Sequence, residues 1–226
     1  SNVPGSGAPE IAMVSAVQAL ENRGYTVNNA YELLERGLKA HKEENSVELQ
    51  KVSAELRNEF LNAKKNESSD YWKYRYYDNF KQYELSVQFP EPVKLDIDSD
   101  KFKEQIKAGW MSQLIGAAMG TMVEGYTSKN LYEAFGDVKS YIREPNTYND
   151  DITFEIAFLD AFKDKGYAVT SKDIALSWIG LIPVGWSAEE LALRNIRSGM
   201  MPPESAKWNN PFNEWIGAQM RGAVCG

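Results

Sequence analysis

Apolar residues recur at three- and four-residue spacing along much of this chain. Leu49, Val52, Leu56 and Phe60 form one such stripe, and Met13, Val14, Val17 and Leu20 form another. Leu33, Leu34, Gly37 and Leu38 form a third, with His41 on the same face. This is the period of a helix face, not the two-residue alternation of a half-buried strand. Only Val87-Gln88-Phe89 and Val93-Lys94-Leu95 alternate, and neither is long enough to build a sheet. The expected fold class is all-α.

Local stop and start signals divide the chain. Gly24 follows the first stripe as a helix-ending residue, and Asn28 or Asn29 caps the next helix. A third helix starts at Ser46, with Glu48 early and Lys64-Lys65 late, as the helix dipole favours. Tyr76, Phe80 and Tyr83 then fall on one helical face of an aromatic run from Tyr71 to Tyr83. That spacing favours a packing helix over a stacking platform for a sugar or base.

Phe89-Pro90-Glu91-Pro92 is the clearest break, because proline fixes its own φ and constrains the residue before it. A boundary there gives an N-terminal helical region, 1–92, and a second helical domain, 93–226. Asp98, Ser99 or Asp100 caps a long helix from Lys101 to Glu124, and Ser128 to Phe135 forms a short one closed by Gly136. Asn149-Asp150-Asp151 opens a helix that ends before Gly166, and Ser171 caps another through Trp178. Ser187 and Glu190 read as a capping box for 188–197, and an amphipathic helix is expected over Asn213 to Val224.

Composition narrows the function. The net charge is −7, which argues against nucleic acid as the main partner. Cys225 and His41 are the sole cysteine and histidine, so cysteine-based or histidine-rich zinc sites are excluded. The longest uncharged run, Ala108 to Val123, is shorter than the ~20 residues of a membrane-spanning helix. No signal peptide is read in Ser1 to Pro9, which lacks an apolar core. The compartment stays open, with the cytoplasm slightly favoured over a secreted or periplasmic location.

The chemistry centres on Asp150 and Asp151. Adjacent carboxylates suit the hard cations Mg²⁺ and Mn²⁺, and Asn149 can add an amide oxygen. Helix capping is the plainer explanation for the same residues. In the long helix, Gly116 and Gly120 share a face that ends in Glu124. A smooth stripe of this kind fits a pocket wall or a tight helix contact equally well.

Together these residues resemble the ADP-ribosylglycohydrolase family, in its divergent bacterial branch. The family's glycine-rich helix has the form G-x-x-x-G-D-x-x-G-x-x-x-E, and a Thr/Ser-Asp-Asp metal motif follows it. Ser112 through Glu124 matches at Gly116, Gly120 and Glu124, and departs at Ser112 and Ala117. Asn149-Asp150-Asp151 matches the metal motif, with Asn in the Thr/Ser place. Asn209-Asn210-Pro211 and Ile216 through Gly222 are similar to a later loop and helix of that branch.

The resemblance spans roughly 102–226 and implies a multi-helical ADP-ribosylglycohydrolase-like bundle. It also implies hydrolysis of a glycosidic bond to ADP-ribose, on an ADP-ribosylated protein or a small glycoside. Asn149, Asp150 and Asp151 would hold Mg²⁺ or Mn²⁺, and Glu124 and Asp151 would be the catalytic residues. The family's second metal motif, Asp-x-Asp-Thr, has no counterpart in the 226 residues, so the domain is expected to be incomplete at its C-terminal end. The alternative is a catalytically silent member of the same fold that binds a ligand or a protein.

Overall fold

The computed structural model describes residues 9–145 and 149–225, with side chains from residue 12 onward. Helices α1 (Pro9–Asn22), α2 (Ala30–Lys42) and α3 (Ser46–Leu61) pack together first. Gly24 takes a φ of 73° and turns the chain out of α1, a conformation glycine adopts without strain. Two short strands, β1 (Tyr25–Thr26) and β2 (Lys64–Lys65), then pair antiparallel and tie the ends of this unit. Asn29 sits before α2 in a left-handed conformation but makes no side-chain cap, whereas the Asn45 side chain accepts from the Glu48 N–H at 3.1 Å and caps α3. The expected stripes meet here: Val17, Leu20, Leu33, Val52 and Leu56 are buried in one cluster. His41 is exposed.

The aromatic segment does not form the expected single helix. A 3₁₀ turn spans Asp70–Lys73, Tyr74 is extended, and α4 covers only Phe80–Glu84. Asn79 explains the break. Its side chain accepts from the Gln82 N–H at 3.1 Å and starts a new helix, so Tyr76 lies outside the face that holds Phe80 and Tyr83.

Helix α5 (Asp100–Gly120) is capped by Ser99, continues as a 3₁₀ turn over Thr121–Val123, and is followed by α6 (Ser128–Phe135). No described residue between Leu56 and Ile152 is buried. The tight-contact reading of the glycine stripe is not met, because a Cβ at Gly116 or Gly120 would touch nothing within 4 Å.

The remaining helices are α7 (Asp150–Lys165), α8 (Ser171–Leu181), α9 (Ser187–Arg197), α10 (Glu204–Lys207) and α11 (Gly217–Met220). Phe154, Ala157, Ile182 and Leu193 form their core, with Trp178 packed against it. Thr170, not Ser171, makes the capping box with Asp173. Helix α9 starts one residue early, and Glu190 accepts from the Gly185 N–H at 3.0 Å.

The expected helix over 213–224 shrinks to α11 and a 3₁₀ turn at Ala223–Cys225. The Asn210 side chain donates to Ala188 and Ala206 carbonyls and accepts from the Phe212 N–H, which holds that stretch in turns. Phe212 is then buried against Ala16 and Ala19, so the last part of the chain closes on α1.

The class is all-α. No helix among the described residues is long and apolar enough to cross a membrane. The accessible surface is 15771 Å², against about 10,400 Å² for a compact monomer of this mass. The excess matches the unburied middle of the chain.

Candidate functional site

The start of α7 is built by its cap. Asn149 Oδ1 accepts from the Ile152 N–H at 3.3 Å, and Thr153 Oγ1 donates to the Asn149 carbonyl at 2.6 Å. This places Asp150 and Asp151 in the first turn, where the positive end of the helix dipole favours anions. The asparagine amide oxygen is therefore engaged as a cap.

Both carboxylates are half-buried, and both titrate above the ordinary aspartate range. For Asp150 the main cause is burial, with the charges of Asp151 and Glu189 adding to it. Its own backbone N–H and Arg221 act against the rise. Asp151 is raised by burial and opposed by its own backbone N–H and Arg221. The dipole and Arg221 thus do not fully offset the loss of water.

Arg221 acts on both aspartates, and its Nε is buried without a hydrogen-bond partner. It pairs with Glu189, and both side chains are mostly buried. Its guanidinium lies 4.1 Å from the Phe154 ring centre and 5.3 Å from that of Trp178. Gly217 makes room for the pair, since a Cβ there would overlap the Glu189 carboxylate.

One turn after Asp151, Glu155 is 1% exposed. It accepts from Gln113 Nε2 at 3.1 Å, and the same amide donates to the Met220 carbonyl at 3.2 Å. Gln113 belongs to the glycine-rich stretch, so one side chain ties α5 to α7 and α11. Glu155, Glu189, Arg221 and Gln113 were not candidates from sequence. The one local hint was Glu155, an acid inside the apolar run from Ile152 to Phe158.

Glu124 is exposed after the 3₁₀ turn that ends α5. It is not among the groups that shift Asp150 or Asp151. Among the described residues no three Asp, Glu, His or Cys side chains gather closely enough to hold a metal ion. The structure therefore brings together Asn149, Asp150 and Asp151, and does not bring Glu124 to them.

No family model, curated protein or solved structure matches the chain.

Proposed function

We propose that the chain is a metal-dependent hydrolase with an ADP-ribosylglycohydrolase-like helical scaffold, cleaving a glycosidic bond to ADP-ribose or a related sugar. One observation carries this: two adjacent half-buried carboxylates head α7, and both titrate high although Arg221, paired with Glu189, lies close enough to oppose the rise. Desolvated like charges side by side are costly unless a cation joins them.

The residues fit a hydrated Mg²⁺ or Mn²⁺ ion, which is commonly held by one or two carboxylates and keeps several waters. Asp150 and Asp151 would hold it, with the second lone pair of the Asn149 amide oxygen as a further donor. Bound there, the ion supplies Lewis-acid polarisation and orients sugar hydroxyls. Gln113 ties α7 to α5 through Glu155, one turn after the pair. Glu124 is open to solvent and apart from the pair, so in this reading it acts as base or gate only on a substrate that spans both.

The test is release of ADP-ribose from an ADP-ribosylated protein in Mg²⁺, comparing wild type with Asp151→Asn and Glu124→Gln. Loss of a proton-transfer group is expected to slow release by about a hundredfold or more. Release that neither change affects removes the pair from the chemistry.

A second reading is a catalytically silent binding protein of the same scaffold. The exposure of Glu124 and the pairing of the nearby Glu189 carboxylate with Arg221 favour it. Metal binding without any release would select it.

A further inference from the structure

A cleft of about 970 Å³ opens between α1–α3 and the segment that leads into and out of α9. That volume lies in the range of sites for drug-sized ligands. Its walls are apolar: Met13, Leu34, Leu38 and Leu49 on one side, Trp186 and Leu191 on the other. Into this lining project a few polar groups, namely Arg57, Arg194, His41, Glu190 and Asn209.

The charges there do not cancel. Glu190 is bound to Arg194 Nε at 2.7 Å. Arg57 has no acidic side chain within ion-pair distance among the described residues. Burial, and then the neighbouring charge of Arg194, hold its pKa below the ordinary arginine value. Arg57 is exposed in the cleft lining and shares it with Arg194, and an anion would relieve the repulsion between the two charges.

Asn209 adds an independent sign. Its side-chain oxygen is buried in the cleft wall without a hydrogen-bond partner in the protein, and its backbone is left-handed with φ 47°. An unsatisfied buried acceptor calls for a donor on the bound molecule, apart from its anionic head.

We propose that this cleft binds a small amphipathic anion, with an apolar body against Met13, Leu49 and Trp186 and a carboxylate or phosphate head on Arg57. The site is separate from Asp150 and Asp151, and the proposal does not depend on their chemistry.

Fluorescence titration tests it with two dyes of one shape: anilinonaphthalene sulfonate, which is anionic, and phenylnaphthylamine, which is neutral. Arg57→Gln is expected to weaken the anionic dye about tenfold, the scale of one charge-assisted contact, and to leave the neutral dye unchanged. Arg57→Lys should keep most of the affinity. Ile115→Asn on exposed α5 controls for dye on other apolar surface and should leave the tight site intact.

Dodecanoate and dodecyl phosphate should displace the dye while dodecanol does not, and the stronger competitor identifies the head group. Equal loss of both dyes in Arg57→Gln, no loss of either, or loss in Ile115→Asn overturns the proposal. So does equal competition by dodecanol. Dye lost from wild type as a dimer forms on concentration would put a second copy in the cleft and also overturn it.

Discussion

Helices α3 and α5 are both long, at 16 and 21 residues, and both are started by a side-chain cap, from Asn45 and Ser99. Their fates differ. Helix α3 turns Val52 and Leu56 into a core shared with α1 and α2. Helix α5 buries no residue, although Ile106, Met111, Leu114 and Ile115 are large and apolar. The difference is the supply of partners. The short loops after α1 and α2 return a matching apolar face at once, so three stripes close on each other. The amide of Gln113 ties helix α5 to α7 and to the Met220 carbonyl. A cap and an apolar pattern start a helix, but tertiary cover supplies most of its stability.

The largest effect should come from the covered helix. Leu56→Ala deletes a side chain that is 1% exposed, and should cost about 2–5 kcal/mol in urea denaturation. A cost no larger than that of a surface change would show that the first core is loose.

Gln113→Ala comes next. It leaves the buried Glu155 carboxylate without its amide donor, a loss of about 1–3 kcal/mol. Faster amide hydrogen exchange along α5 should accompany it. Unchanged exchange would mean that another contact holds α5.

The third effect is in pH. Asp150 and Asp151 titrate above their ordinary value in the fold. Between the ordinary and the raised value the native state holds more protons than the unfolded chain. Stability therefore falls as pH rises through that window, and the penalty is complete above the raised value. In chelator, Asp150→Asn should flatten this slope and raise the melting temperature at pH 7. A wild type that gains stability as pH rises through the same window would contradict the burial of the pair.

The smallest effect should be Leu114→Ala. Its parent side chain is 39% exposed, and a change within about 0.5 kcal/mol is expected in urea denaturation. A cost approaching that of Leu56→Ala would show that α5 is covered in solution.

Helix boundaries set by local chemistry could be read from sequence. Ser99, one of three adjacent candidates, caps α5, Asn149 caps α7, and Gly24, Gly136 and Gly166 end their helices with positive φ. The failures fall where a side chain overrides periodicity. Asn79 interrupts the aromatic run, and Asn210 holds the segment before α11 in turns. Neither effect changes the spacing of the apolar residues, so spacing alone did not reveal them.

The candidate site divides along the same line. Asp150 and Asp151 are adjacent and follow a cap, a wholly local signal. Their surroundings come from α5, α9 and the turn at Arg221, and no pattern within one helix connects Gln113 to Glu155 or Glu189 to Arg221. The glycine stripe shows the reverse: a clear pattern whose expected contact is absent at Gly116 and Gly120.

Direct binding of Mn²⁺, followed by the electron paramagnetic resonance signal of the free ion, tests the pair at the head of α7 without reference to any substrate. Wild type should remove Mn²⁺ from solution at a saturable site, Mg²⁺ should compete, and Asp150→Asn with Asp151→Asn should abolish the uptake. Equal uptake by wild type and the double variant would leave the two aspartates as a helix cap alone.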